Sequence, residues 1–128
     1  MAESDLHQRE MQEYVLDVLR DRFRSLSGTN VITASGLVCF GQADRYLGML
    51  AFALGELDEA ESLLGSALEG DAAGRSALWV NESRLWLSRV RRAQGHATEA
   101  DAMAEVVARE ADAAGLARLG RLARTELA

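Results

Sequence analysis

The side chains able to do covalent or acid–base chemistry in this sequence are few and scattered. They are one cysteine, Cys39, two histidines, His7 and His96, and an acidic run at Asp58, Glu59 and Glu61. A thiol nucleophile needs a base within hydrogen-bond reach and a third group to orient that base. Cys39 and His96 belong to different segments and no acid is paired with either, so a small apolar thiol in a packed element is the simpler reading. His7 lies beside the start of the chain. Two histidines in separate segments are too few for a metal site, and a single cysteine makes neither a disulfide framework nor a cysteine-based zinc site. Paired carboxylates can serve hydrolysis. Asp58 followed three residues later by Glu61, however, has the spacing of a capping box, in which both acids satisfy exposed amides at a helix start. The glycines stand singly at helix ends and build no phosphate-cradling loop. These residues assign no catalytic group, metal or cofactor, and the chain reads as a non-enzyme.

The remaining chemistry is that of guanidinium. All 14 basic residues are arginine and lysine is absent, a skew that fits a GC-rich bacterial genome. The net charge of −6 argues against general binding to nucleic acid or anionic membrane, both of which require a dominant positive field. The first residues carry alternating charges with no apolar stretch of signal-peptide type, and no apolar run is long enough to span a bilayer. With one cysteine, the expected location is the cytoplasm.

The elements that must position these arginines follow from periodicity. Proline is absent, aromatics are scarce and alanine and leucine abound, a composition that favours helix over strand. Met11, Tyr14, Val15, Val18, Leu19, Phe23 and Leu26 recur at spacings of three and four, predicting an amphipathic helix over about 5–26. Ser27-Gly28-Thr29-Asn30 stops it. Val31-Ile32-Thr33 is β-branched but finds no partner run, so it reads as an extended lead-in to a second helix from near Ser35 to Leu54, ended by Gly55. A third helix begins at Asp58 and presents Leu57, Ala60, Leu64, Ala67 and Leu68 on one face, and Gly70 to Gly74 closes it. A fourth spans 77–94 and ends at Gly95. A fifth, capped at Thr98-Glu99-Ala100-Asp101, buries Ala100, Ala104, Val107 and Ala111 as far as about Ala114. The last covers 116–127. The expected organisation is one all-α domain: an N-terminal helix and loop over 1–30, helix hairpins over 31–69 and 75–114, and a C-terminal helix over 115–128.

Placing Gly55 on Gly95 also superposes Ala60 on Ala100 and Leu47 on Leu87, an internal repeat of a helix hairpin. The first copy, Leu47-Gly48-x-x-Ala51-x-x-x-Gly55-x-x-x-x-Ala60-x-x-x-Leu64-x-x-Ala67-Leu68, resembles the tetratricopeptide signature, where small residues mark helix contacts. Asp44 stands where that signature has tryptophan, Ala51 where it has tyrosine, and its closing proline is missing. In the second copy Ser88, Arg91 and Ala104 replace glycine, tyrosine and phenylalanine. The stretch from Asn30 to Leu68 is similar to the carboxyl-terminal helical-repeat modules of actinobacterial LuxR-type and adenylate-cyclase-linked ATPase regulators. No Walker loop, cyclase domain or helix-turn-helix accompanies it here. The resemblance implies a short right-handed solenoid of about six helices acting as an adaptor or regulatory scaffold.

In such modules the first helix of each hairpin lines a groove for a partner's peptide. The repeat maps that groove to Gln42, Arg45, Met49 and Phe52, and to Glu82, Leu85, Trp86, Arg89 and Arg92. Guanidinium forks among apolar anchors suit an acidic or carboxyl-terminal peptide. The competing reading makes Trp86 core and the arginines, together with Arg118, Arg121 and Arg124, a solvated face. Two hairpins are fewer than a solenoid needs to cover its ends. An uncovered face along Leu116, Leu119 and Leu122, or along the first helix, therefore predicts a homodimer. Two alternatives come from other classes. A small-molecule sensor needs a deep apolar pocket near Met49, Phe52 and Trp86, and an enzyme needs Cys39, a histidine and an acid in one cleft.

Overall fold

Runs of good helix formers, most of them closed by a glycine in the left-handed conformation, account for most of the architecture. The computed structural model describes residues 2–33 and 38–128, with side-chain surroundings for 3–31 and 41–128. Among the described residues, α1 (Ala2–Arg24) leads into β1 (Asn30–Thr33) and β2 (Val38–Gln42), and these precede α2 (Ala43–Ala53), α3 (Leu57–Ala73), α4 (Ala77–Ala93), α5 (Ala97–Ala113) and α6 (Ala117–Leu127). The six helices among the described residues pack against their neighbours in succession, an all-α helical-repeat fold. No helix among the described residues is long and apolar enough to cross a membrane.

The turns from α2 to α6 share one geometry. Left-handed residues recur at Gly55, Arg75, Gly95 and Gly115, with φ of 79°, 56°, 89° and 74°. After each, a backbone amide reaches back to close the helix end: Glu56 to the Ala51 carbonyl and His96 to that of Arg91, both 2.9 Å, Leu116 to that of Ala111, 2.8 Å, and Ser76 to that of Asp71, 3.3 Å. This Schellman closure satisfies carbonyls that the last helical turn leaves open, and glycine enters it without a Cβ penalty. Connections this short force neighbouring helices to run antiparallel.

The small-residue positions pack as the repeat predicts. Leu47, Ala51, Ala60, Leu64 and Ala67 are buried, and so are Ala100, Ala104, Val107 and Ala111. One cluster joins Ala51, Ala60, Leu64, Leu87 and Val90, with Phe52, Leu68 and Trp86 against it. A second joins Leu85, Val107, Ala111, Leu119 and Ala123. Besides meeting its chain neighbours, α4 approaches both α2 and α6 directly, so that α2, α4 and α6 form one layer.

Three sequence expectations change. Val31-Ile32-Thr33 is no lead-in: β1 pairs antiparallel with β2, with Ile32 opposite Cys39 and Thr33 opposite Val38. The start expected for the second helix at Ser35 falls outside the described residues, and α2 begins only at Ala43. Val38-Cys39-Phe40 fits either a helix turn or a strand, and its pairing partner settles the choice. The capping boxes do not form either. α3 and α5 start one residue before Asp58 and Thr98, with Glu56 and His96 at the N-cap and no side-chain cap bond. Among the described residues a side-chain cap forms at Ser76, which accepts from the Trp79 amide at 3.2 Å.

Glu61 is instead a strut between α3 and α4, accepting from Gln94 Nε2 at 2.9 Å and meeting Arg91 Nη1 at 2.7 Å. The Gln94 hydrogen bond, followed by the Arg91 charge, holds its carboxyl below the ordinary value of 4.5. Because the folded value lies below the unfolded one, the stability Glu61 contributes is present above about pH 4.5 and is lost as pH falls through the folded value. A Glu61→Gln chain is therefore expected to lose less stability than wild type between pH 5 and 3 in urea titrations. Identical slopes would remove Glu61 from the acid response.

Candidate functional site

The residues mapped to the groove divide into a buried polar centre and a surface cluster. Arg45 belongs to the first. Its side chain is 2% exposed and its guanidinium meets Asp71 Oδ2 at 3.3 Å. Its Cζ sits 4.9 Å from the Tyr46 ring centroid and 4.5 Å from that of Trp79, a cation held against two aromatic faces. Asp71 also accepts from the Ser83 hydroxyl at 2.8 Å and from the Gln42 amide at 3.3 Å. Beside it, Asp44 accepts from the hydroxyls of Ser27 at 2.6 Å and Ser66 at 2.8 Å and from the Gly28 amide. These bonds tie the loop after α1 and the start of α2 to α3 and α4.

The expectation that Arg45 lines a groove is thus corrected: it is a buried structural cation, unable to receive a peptide. Gln42 is half-buried, donates to Asn30 Oδ1 at 2.8 Å, and lies so close to Gly70 that a Cβ there would fall 2.5 Å from its Cδ. Leu85 is 1% exposed, inside the second core cluster. Sequence reasoning missed Asp44, Asp71, Ser83 and Trp79. The available signal was an aspartate in the apolar last turns of the third helix, a place where a solvated acid gains nothing.

The surface cluster lies on the α2–α4–α6 layer. Phe52 and Trp86 meet edge to face, ring centroids 6.0 Å apart. Arg89 lies over the Trp86 ring, its Cζ 4.5 Å from the centroid. Met49, Phe52, Trp86, Arg89 and Arg92 are all half-buried, so each presents part of its surface to solvent. The structure brings Phe52, Trp86, Arg89 and Arg92 together around α4.

The guanidiniums of this cluster already hold acids of the same chain. Arg89 Nε donates to Glu126 Oε1 at 2.7 Å, and Arg92 Nε lies 4.0 Å from Glu126 Oε2. Arg92 Nη2 meets Asp101 at 2.6 Å, while its Nε is buried with no hydrogen-bond acceptor among the described residues. Glu82 pairs with Arg118, and Arg124 with Asp112 at 2.9 Å. Arg121 is exposed. Glu126, absent from the predicted groove, brings a carboxylate from α6 onto Arg89 and beside Arg92.

The stripe Leu116, Leu119 and Leu122 is not an open self-association face. Leu119 is 1% exposed among Leu85, Val107, Ala111 and Ala123, and Leu116 and Leu122 pack against the same cluster. An amphipathic end helix covers the last core with this face, burying Leu119 and half-burying Leu116 and Leu122. Among the described residues the exposed large apolar side chains lie instead along α1 and the turn after it, at Leu6, Met11, Tyr14, Val15, Val18, Leu19 and Leu26, with Leu127 apart from them.

Candidate chemistry elsewhere stays dispersed. His96 is exposed at the α4–α5 turn, 3.8 Å from Glu99. Cys39 lies on β2 and its side chain falls outside the described residues. Hydrogen bonding between the neighbouring Glu56 and Glu59 carboxyls, available once one is protonated, lowers the pKa of Glu56 and, together with burial, raises that of Glu59; Arg20 of α1 meets both. No group of three histidine, cysteine or carboxylate side chains that could hold a metal occurs among the described residues. The sequence matches no protein-family model, and comparison with curated proteins and with solved structures likewise yields no match.

Proposed function

We propose that this chain is a protein-interaction module, a helical-repeat adaptor or regulatory scaffold, that receives a carboxylate-bearing segment of a partner protein on the α2–α4–α6 face. The observation that carries this reading is the Phe52–Trp86–Arg89 cluster with Arg92 beside it. An aromatic ring half open to solvent, edged by a second ring and capped by a guanidinium, has the composition of a binding hot spot. Glu126 shows the recognition chemistry within the chain itself, a carboxylate accepting from Arg89. A partner's acidic side chain or chain terminus would take that place, with apolar neighbours resting on Phe52, Trp86 and Met49. The resemblance to tetratricopeptide modules agrees with this reading, because in them the first helix of each hairpin faces the ligand. The helix pairs here, with turns at Gly55 and Gly95, repeat at a longer pitch than the usual ~34 residues.

The test is selection of peptides with free carboxyl termini from a random displayed library on wild-type protein, followed by affinity measurement for the enriched sequences. Enrichment of acidic or carboxyl-terminal motifs is expected. Trp86→Ala or Arg89→Ala is expected to weaken binding about 30-fold, the scale of a hot spot of ~2 kcal/mol. Glu126→Gln is expected to strengthen it by removing the internal competitor. Peptides that bind the Trp86→Ala chain as well as wild type would overturn the assignment.

A further inference from the structure

The broad apolar arc of α1 is only partly used within the chain. Phe23 reaches Tyr46 of α2, with ring centroids 6.0 Å apart, and Arg20 reaches Glu56 and Glu59 at the α2–α3 turn. Leu16, on the same side, is half-buried. The rest of the arc faces solvent. Tyr14 is 67% exposed and Met11 52%, and Val15, Val18 and Leu19 accompany them at spacings that keep all five on one face. At 1.5 Å per residue α1 is roughly 34 Å long and α2 roughly 16 Å, so α2 lacks the length to cover it. A shallow cleft of about 390 Å³ also runs along Met11, Gln12, Val15 and Leu16.

Charge along α1 indicates what can cover this face. The first turn is acidic, with Glu3 and Asp5, and the last is basic, with Arg22 and Arg24. Arg22 projects from the apolar stripe and has no acidic partner among the described residues, while Arg24 meets Asp21 at 3.4 Å. The midpoint between the acidic and basic turns falls between Glu13 and Tyr14, inside the apolar run from Met11 to Leu19. A helix with this layout is complementary to itself in the antiparallel sense, since a two-fold axis at its centre places each acidic turn against a basic one and lays the apolar run of one copy over that of the other, with Met11 facing Leu16 and Val15 facing Gln12. A parallel arrangement would set like charges side by side.

We infer that α1 docks antiparallel onto α1 of a second copy of this chain, giving an isologous dimer held by Met11, Tyr14, Val15, Val18 and Leu19 and registered by Glu3 and Asp5 against Arg22 and Arg24. The Trp86 cluster lies on other helices and takes no part in this contact. A dimer of this kind presents two copies of that cluster on one assembly and increases avidity for a partner carrying two target segments.

The experiment is solution mass by light scattering across protein concentration, with circular dichroism to monitor folding. Wild type is expected to approach twice the chain mass of 13.9 kDa as concentration rises. A Val15→Glu/Val18→Glu chain is expected to remain at 13.9 kDa with its helical signal retained. Charge reversal fixes the orientation. An Arg22→Glu/Arg24→Glu chain and a Glu3→Arg/Asp5→Arg chain are each expected to be monomeric alone and to form a one-to-one dimer when mixed. A wild-type mass that stays at 13.9 kDa throughout, or a dimer that survives Val15→Glu/Val18→Glu, overturns the proposal. A mixture of the charge variants that stays monomeric overturns the antiparallel pairing.

Discussion

Replacing Asp71 by alanine is expected to lower the free energy of unfolding by about 3–5 kcal/mol, the scale for leaving one member of a buried ion pair without its partner. Asp71 is 3% exposed and is the acid on which Arg45, Ser83 and the Gln42 amide converge. Its removal leaves the Arg45 guanidinium between Tyr46 and Trp79 with no counter-charge from Asp71, in a site closed to water. Against a total stability that for a domain this size is on the order of 5–15 kcal/mol, that loss brings the urea midpoint far down. The double change Arg45→Met/Asp71→Leu removes both charges together and is expected to cost less than Asp71→Ala alone, because no uncompensated ion remains. A midpoint for Asp71→Ala within experimental error of wild type would mean that the pair does not hold α2 against α3. Binding at Trp86 serves as a control, since a native double variant keeps that surface.

The second large effect sits where α2 and α3 cross. A Cβ built on Gly48 would lie 2.6 Å from Leu64 Cγ and 3.0 Å from Leu64 Cδ2. The two helices approach this closely only because position 48 carries no side chain. Leu64 is fully buried in the first core cluster, and Leu64→Ala is expected to cost about 2–5 kcal/mol through lost contacts and the cavity left behind. Gly48→Leu is expected to cost about 1–3 kcal/mol by overpacking, reduced by the better helix propensity of leucine. Combined, the new leucine enters the space vacated at 64, so the double variant is expected to be more stable than the sum of the single costs by about 1–3 kcal/mol. Urea denaturation of the four proteins measures this coupling, and strict additivity would show that the two positions do not compete for the same space.

Helices, turns and the small-residue seam were legible in the sequence because the forces behind them act within a few residues. Gly55, Gly95 and Gly115 end helices by a local backbone conformation, and Ala60, Leu64 and Ala67 declare one face by their spacing alone. The same reading placed Met49, Phe52, Trp86, Arg89 and Arg92 on the helices that form one layer, and the structure gathers most of them around α4. What local pattern left open was which charges are used up inside the chain. Arg45 and Arg89 look alike in sequence, each a guanidinium near an aromatic residue in the first helix of a hairpin. Arg45 finds Asp71, 26 residues away, and is buried, while Arg89 finds Glu126, 37 residues away, and stays half open. The ribbon of β1 and β2 has the same origin, because a strand is stabilised only by its partner and Val31 has no helical periodicity of its own to report. Tertiary structure likewise decided that the last helix spends its leucines on its own core and that the first helix does not. A helix buries whichever face its neighbours are long enough to cover: α5 spans the length of α6, and α2 is about half as long as α1.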